Sequence, residues 1–339
     1  MKKLLYTVFI FIMAMQLVKA QQKPQYTQYV LNNLLINPAV TGIENYIDVK
    51  TGYRSQWTGL QGAPVTSYIT FSAPFGSNFV QGDAAAASPG NEANPYSRLY
   101  TQTYQASEPH HGLGFTILSD QAGQISTSTF DINYAYHLGL ASNFNLALGV
   151  GAGLNHVSLN TVGLTLPDTQ IDPAIANGNN SQWNPDVNVG IWGYSSTYYF
   201  GISAQQVLPQ NLYFSTTHAI NQQKTTPQYL LTGGIKVFLS DDITLIPSAL
   251  VKIISPLPTA FDLTAKVTFS DRFWIGASYR NQDAVAGLVG FNISSLINIS
   301  YSYDYTTSQL STVSSGTHEI VIGLLLNNRS RVVSPQHSF

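Results

Sequence analysis

The sequence is short of charge and has no cysteine. Lys, Arg, Asp and Glu make up only 9% of its 339 residues, against about 25% in an ordinary globular domain. The absence of cysteine excludes disulfide frameworks, thiolate zinc sites, cysteine nucleophiles and a lipid-modified N-terminal cysteine. The formal net charge of −2 lacks the basic excess that phosphate binding needs, so we expect no nucleic-acid partner.

Hydrophobic residues are present in an ordinary proportion, 44%. Glycine (26 residues) and tyrosine (20 residues), with many Asn, Ser and Thr, take the place of charge, which is typical of neither a disordered chain nor a helical bundle. A soluble protein needs roughly 25–35% charged residues on its surface. The composition therefore indicates an exterior that is poorly suited to water.

The longest apolar run lies at the N-terminus. Residues 1–20 place two lysines before an apolar run from Leu4 to Leu17, with small residues near Ala20, which predicts a secretory signal peptide cleaved after Ala20. A transmembrane anchor is the alternative, but the run is shorter than the roughly 18 to 20 apolar residues that a spanning helix needs. We expect four parts: the signal at 1–20, a periplasmic segment at 21–46, a barrel at 47–327 and a periplasmic tail at 328–339.

From residue 47 onwards, apolar and polar residues alternate with period 2, in segments that end at turn residues. In Ser128 to Leu138, for example, Phe130 and Ile132 alternate with Asp131 and Asn133. About fourteen such segments of roughly ten residues predict an all-β fold, a transmembrane antiparallel outer-membrane β-barrel of about fourteen strands. The segments are Ile47 to Gln56, Val65 to Pro74, Gly112 to Ser119, Ser128 to Leu138, Phe144 to Leu154, Asp186 to Tyr194, Tyr198 to Val207, Gln228 to Leu239, Ile243 to Ile254, Phe261 to Phe269, Arg272 to Asn281, Ala284 to Ser294, Ile297 to Tyr305 and Thr317 to Asn327.

Soluble sandwiches and propellers are also built from short strands, but their outward face should carry charge. Here the charges share the polar face of each segment, which in a barrel faces the lumen, while the apolar face contacts lipid. The charges expected to face the lumen are Lys50, Arg54, Asp131, Lys236, Lys252, Asp262, Lys266, Arg280 and Asp304. Tyr and Trp near segment ends are expected at the membrane interfaces, although ordinary packing is the alternative.

Connection lengths predict an orientation, since these barrels have short turns on the periplasmic side and longer loops outside. The connections after every second segment from the fourth onwards are short, and three of the alternate connections are long. The connection Gly76 to His110 breaks the rule. It is either an inserted periplasmic loop or a sign of a missed strand.

Motifs that carry chemistry are few. The glycines of Gly149 to Gly153 lie within a predicted strand, so lumenal packing is favoured over phosphate binding. The His110 and His111 pair reads as solvated, and Asp168 and Asp172 read as turn caps rather than calcium ligands. We therefore expect no metal and no cofactor.

One catalytic arrangement remains as a remote alternative. His156 and Ser158 fall on the apolar-facing side of one segment near its outer end, and an outer-membrane phospholipase uses a His-x-Ser arrangement on its lipid face. Polar residues are also common where a strand leaves the hydrocarbon layer, so we expect the protein not to be an enzyme.

Three segments of the sequence are distinctive: PQYTQYVLNNLLINPAVTG (Pro24 to Gly42), YRSQWTGLQGAP (Tyr53 to Pro64) and YSYDYTTSQLSTVSSGTHEIVIG (Tyr301 to Gly323). With the segments between them, they resemble the PorP/SprF family of barrel-type outer-membrane proteins of the type IX secretion system. The resemblance covers essentially the whole chain after the signal. Val40-Thr41 and the Gly76 to His110 insertion depart from the family pattern.

The resemblance implies a secretion or surface-anchoring accessory rather than an enzyme. Its implied partners are outer-membrane lipids, periplasmic lipoprotein and ring components of the apparatus, and specific secreted or surface-attached proteins such as gliding adhesins. The residues that we predict to contact partners are Asn37, Pro38, Gly42, Tyr53, Arg54, Gln56, Trp57, Arg329, Arg331 and Phe339. A general diffusion porin or small-solute channel is the main alternative, because the same barrel would serve it.

Overall fold

The structure, a computed structural model, describes residues 26–76, 98, 101, 104–161, 181–210, 224–270, 272–294 and 296–327. The strands in these residues are β1 (Ile47–Ser55), β2 (Val65–Phe75), β3 (His110–Ala122), β4 (Ile125–Ala141), β5 (Phe144–Leu159), β6 (Ser181–Tyr194), β7 (Tyr198–Gln205), β8 (Gln228–Ile235), β9 (Val237–Phe238), β10 (Ile243–Ile254), β11 (Ala260–Phe269), β12 (Phe273–Arg280), β13 (Ala284–Asn292), β14 (Ile297–Thr306) and β15 (Thr317–Leu326).

The strands form a closed antiparallel barrel. Each strand pairs with its neighbours in the sequence, and β15 returns to pair with β1, with Ile47 opposite Leu326 and Ser55 opposite His318. β8 and β9 are one barrel strand, since both pair with β10 in a single register. The ladder breaks opposite Pro247, which has no N–H to donate. The described residues therefore make a barrel of fourteen strands, and the predicted fold class is confirmed.

Alternation along each strand separates a lipid-facing surface from a filled lumen. On β4, Ile132 is 53% exposed, whereas Asp131 beside it is 7% exposed. The same pattern recurs along β15, where buried and exposed residues alternate. Because adjacent Cβ atoms point to opposite faces of a sheet, the charged and most of the polar residues of the wall face the lumen, and the exposed face is apolar.

The two ends of the barrel differ. The turns β4–β5, β6–β7, β9–β10, β11–β12 and β13–β14 lie at what we call the short-turn end, and β1 starts there. The opposite end, the long-loop end, carries the connections β5–β6, β7–β8 and β14–β15. β2 pairs directly with β3, so the connection between them adds no strand to the wall. Helices long and apolar enough to cross a membrane are absent from the described residues.

Candidate functional site: the lumenal plug

Residues 26–46, which we call the plug, lie inside the barrel. They form two short 3-10 turns, Asn33–Leu35 and Pro38–Val40, and nearly all their side chains are buried. The sequence analysis placed residues 21–46 in the periplasm, and the structure corrects this for 26–46. The physical reason is that buried polar groups need hydrogen-bond partners. The plug supplies these partners to the polar side chains that point into the lumen.

The first residues of the plug lie among buried charges at the long-loop end. Thr27 Oγ1 donates to Asp304 Oδ2 (2.6 Å) and accepts from Arg54 Nη1 (2.7 Å). Arg280 Nη2 donates to the same hydroxyl at 3.2 Å, and the Thr27 backbone N–H donates to Glu319 Oε2 at 2.9 Å. The hydroxyl thus uses its one donor and both acceptor positions. One threonine joins charged side chains from four strands.

These charged side chains also pair with one another. Arg54 lies 2.9 Å from both Asp304 and Glu319. Arg280 lies 3.3 Å from Asp262. Desolvation makes such buried pairs only marginally stabilising as a whole, but removal of one member leaves its partner's charge buried and unpaired. We call this group the ion cluster, and its members are Arg54, Lys252, Asp262, Arg280, Asp304 and Glu319.

Farther along the plug, amide side chains bind polar groups of the wall. Gln28 Nε2 donates to the carbonyl oxygen of Glu319 (2.8 Å), and its Oε1 accepts from the Ser300 hydroxyl. Asn32 Nδ2 donates to Thr70 Oγ1 at 3.0 Å. These bonds take the place that water would occupy in an open lumen.

Apolar residues of the plug pack on the opposite wall. Tyr29 and Val30 join Leu230 and Leu250 in one buried cluster. Burial raises the pKa of the Tyr29 phenol above its ordinary value, so the side chain stays neutral at physiological pH. The plug therefore fills the lumen with both polar and apolar contacts.

Asn37 ties the second 3-10 turn to the wall. Its Oδ1 accepts from the Ala39 backbone N–H (2.9 Å), and Pro38 takes the first position of the turn, where no donor is needed. The Asn37 Nδ2 group donates to the carbonyl oxygens of Ile191 (3.0 Å) and Ile202 (3.2 Å). The Asn-Pro-Ala motif thus builds a turn that is bound to β6 and β7.

The end of the turn lies against the backbone of β3. Gly42 has a φ of +76°, which favours glycine, and a Cβ on Gly112 would overlap the Thr41 carbonyl. The rings of His110 and His137 stack with centroids 4.5 Å apart. Their Nε2 atoms lie 3.1 Å from the Gly42 carbonyl and 2.7 Å from the Thr41 carbonyl, respectively. The two histidines therefore hold the plug where it turns toward β1.

The structure disperses the residues that were predicted to contact partners. Asn37, Pro38 and Gly42 are buried in the plug, and Arg54 is buried in the ion cluster. Tyr53 is 49% exposed on the outer face of β1. The structure thus places Asn37, Pro38, Gly42 and Arg54 inside the barrel, and their contact with a partner stays a prediction.

Two further predicted contact residues, Gln56 and Trp57, follow β1 at the long-loop end of the barrel. Gln56 is buried, and the Trp57 backbone N–H donates to Thr317 Oγ1 (3.0 Å) in the turn that follows β1. The tail residues lie outside the described part of the chain: Arg329, Arg331 and Phe339.

All nine charges predicted for the lumen point inward in the structure. Most of them are less than 8% exposed, and several pair with an opposite charge of the wall, as Lys50 does with Asp48 and Lys252 with Asp262. These side chains are Lys50, Arg54, Asp131, Lys236, Lys252, Asp262, Lys266, Arg280 and Asp304.

Among the wall residues that bind the plug, sequence reasoning missed His110, His137 and Glu319. His110 was read as part of a solvated pair, but it is the first residue of β3 and is 1% exposed. His137 and Glu319 could have been predicted from their positions in the period-2 alternation, since each lies on the polar face of its segment.

The remaining chemical motifs have these positions. His156 lies on β5 with its ring 4.4 Å from the ring of Trp183, an aromatic contact on the outer face, and Ser158 follows on the same face. Asp168 and Asp172 lie outside the described residues. Within the described ranges, clusters of three or more potential metal-binding side chains are absent.

Solved barrels with similar architecture share little sequence with this chain. The toluene transporter TbuX of Ralstonia pickettii is 10% identical over 86% of this chain and 92% of that chain, with a TM-score of 0.47. Omp33 of Acinetobacter baumannii is 9% identical over 84% and 100%, with a TM-score of 0.43. A Pseudomonas aeruginosa FadL homologue is 10% identical over 90% and 94%, with a TM-score of 0.44.

The family comparison is more specific. None of the curated proteins matches the chain significantly. Residues 18–324 match the family described as type IX secretion system membrane protein PorP/SprF, and this range contains the plug, β1 to β14 and most of β15. The chain is therefore an outer-membrane β-barrel protein that belongs to the PorP/SprF family of the type IX secretion system.

Proposed function

We propose that this protein supports the export or surface anchoring of specific secreted proteins through protein contacts at the two ends of its barrel. The observation that carries the proposal is the plug, because a lumen filled by buried residues such as Gln28 and Ala39 leaves the barrel ends for function. Family membership supplies the context of secretion. A general diffusion porin, by contrast, needs a water-filled lumen.

The proposed partners differ between the two ends. The short-turn end faces the periplasm and contacts lipoprotein and ring components of the apparatus, and the tail at 328–339 with Arg329 and Arg331 extends this surface. The long-loop end faces the exterior, where secreted or surface-anchored proteins, such as adhesins, bind. Export uses a signal peptide at residues 1–20 that is cleaved after Ala20.

A pull-down from detergent-solubilised membranes, with quantitative mass spectrometry and planar-bilayer recordings on the same preparation, tests this function. We expect components of the secretion apparatus to co-purify and the resting protein to show no large steady conductance. A variant that lacks residues 328–339 should lose periplasmic partners and keep external ones. Large steady conductance without such partners would establish the porin instead.

Two further experiments test the signal peptide and the absence of enzymatic activity. N-terminal sequencing of the purified protein should start at Gln21. Lipid hydrolysis that is present in the wild type and lost in Ser158→Ala would overturn the assignment as a non-enzyme.

A further inference from the structure

The basic residues of the barrel are confined to one sector of the wall. Six Lys or Arg side chains belong to the barrel strands. Two lie on β1, and the other four lie in the stretch from β8 to β12. Strands β2 to β7 contain neither residue type. The six side chains point into the lumen and are Lys50, Arg54, Lys236, Lys252, Lys266 and Arg280.

These residues form a series that runs through the membrane. Three of them lie toward the long-loop end: Arg54 near the end of β1, Lys252 near the end of β10, and Arg280 at the end of β12. The other three lie toward the short-turn end, where Lys266 faces the ring of Trp274 at 5.7 Å. Charges at membrane depth are costly and typically mark ion or substrate pathways. In the closed arrangement, four of the six bases pair with acidic side chains of the wall, namely Asp48, Asp262, Asp304 and Glu319.

A cavity lies in this sector beside the first part of the plug. Its volume is about 20 Å³, which is room for about one water molecule, and Val30 and Leu31 of the plug form part of its lining. The wall residues that line it include Lys50, Lys266, Trp274, Asn292, Asn298 and Ser300. The short-turn part of the basic sector therefore holds a small gap between the plug and the wall, lined by two of its lysines.

The two parts of the plug are attached differently. Residues 26–32 contact this sector through side-chain hydrogen bonds of Thr27 and Gln28 and through apolar packing of Tyr29, Val30 and Leu31. Residues 36–43 contact β3 to β7 through main-chain groups and close backbone approaches, as at Gly112. Side-chain hydrogen bonds can be exchanged for bonds to water or ions at little net free-energy cost. A backbone packed against a backbone has no such substitute.

We propose that residues 26–32 are a gate over a basic path, and that their displacement opens a conduit for small inorganic anions while residues 36–43 remain in place. The path runs from Arg280 and Lys252 to Lys266, Lys236 and Lys50. At rest the gate is closed, with Thr27 as its latch. This inference goes beyond the proposed function, because contacts at the barrel ends do not require conduction.

Single-channel recording of a matched pair of variants in KCl tests the gate. Thr27→Val removes the latch hydroxyl with little change in volume, and Thr41→Val makes the same change in the seated part, where the hydroxyl bonds only to the Pro38 carbonyl within the plug. We expect Thr27→Val to raise the open probability at least about tenfold, which corresponds to about 1.4 kcal/mol. We expect Thr41→Val to behave as wild type. Silence of both folded variants would overturn the gate.

The reversal potential in a KCl gradient tests the path. Openings of Thr27→Val should be anion-selective, and adding Lys266→Glu should reduce or reverse this selectivity. Adding Asp131→Asn, in the opposite sector, should leave it unchanged. Cation-selective openings that do not respond to Lys266→Glu would overturn the basic path.

Labelling of single cysteines tests the gate without altering the latch. The chain has no native cysteine, so Gln28→Cys and Ala39→Cys can be treated with a small water-soluble maleimide in membranes. We expect Gln28→Cys to react at least about tenfold faster, because its segment leaves the lumen transiently. Equal rates would show that the plug moves as one body or not at all, and would reject the proposal. This failure would leave the pull-down result, and so the proposed function, intact.

Discussion

The two parts of the plug rest on opposite kinds of contact. Residues 26–32 meet hydroxyls, amides and the ion cluster, whereas residues 36–43 meet main-chain carbonyls, histidines and the glycine backbone of β3 and β5. The difference shows that one lumen can bind a segment in two ways. Charged contacts select a position but tolerate exchange with water, and close backbone packing tolerates no added atom. Four substitutions test how each kind of contact contributes to stability.

Gly112→Val should have the largest effect. Its Cβ would overlap the Thr41 carbonyl and the Gly42 backbone, which have no space to move. We expect a loss of more than about 3 kcal/mol, and so little folded barrel. Heat-modifiable mobility on SDS gels measures folding, and Gly287→Val, which meets nothing within 4 Å, is the control. Normal folding of Gly112→Val would contradict the close contact between the plug and the backbone of β3.

Arg54→Met should cost about 3–5 kcal/mol, because Glu319 and Asp304 would lose their buried partner. Urea unfolding in lipid vesicles, followed by tryptophan fluorescence, measures the free energy. The double variant Arg54→Met, Glu319→Gln should lose less than the sum of the single variants, since the pair is coupled. Additive losses would show that the ion cluster does not act as a unit.

Asn37→Ala should cost about 2 kcal/mol, because it removes the turn cap and both donors to the wall carbonyls. Asn37→Asp keeps the cap acceptor but sets a carboxylate against the carbonyls of Ile191 and Ile202. It should therefore be at least as destabilising in the same urea assay. Wild-type stability of Asn37→Asp would contradict the assigned geometry.

Thr70→Val should have the smallest effect, about 1 kcal/mol, since it removes two neutral hydrogen bonds between the Thr70 hydroxyl and the Asn32 amide. Thr51→Val is the control: it removes one hydrogen bond from an exposed threonine of β1 to the Tyr68 carbonyl and should shift the unfolding free energy by less than about 0.5 kcal/mol. If the two variants had equal unfolding free energies, the Asn32 contact would contribute nothing to holding the first part of the plug.

The fold was predictable from local pattern to within a few residues at most strand ends. The strand predicted at Ile243 to Ile254 has those bounds, and β4 extends the predicted Ser128 to Leu138 to Ile125–Ala141. Alternation predicts strands well because a side chain's face depends only on its position along the strand. The break at Lys236 escaped prediction because it depends on Pro247, which lies on the neighbouring strand.

The site was less accessible to sequence reasoning. The segment from Tyr26 to Tyr46 has no period-2 alternation, so it was correctly left out of the wall, but nothing local shows which side of the wall it occupies. Its amides and small residues suit either the periplasm or a polar lumen. The contacts that decide between them join distant parts of the chain, such as Thr27 and Glu319, which are 292 positions apart.

The sequence by itself determined the barrel, its strand number and the face on which each charge lies. Those properties follow from scarce charge and period-2 alternation, which act within each strand. Only the tertiary structure decided that the lumen is filled, that Asn37 and Gly42 bind the wall, and that the basic residues share one sector. Closure of the ring creates those neighbours, because it brings β1 against β15 and surrounds a segment that no single strand could hold.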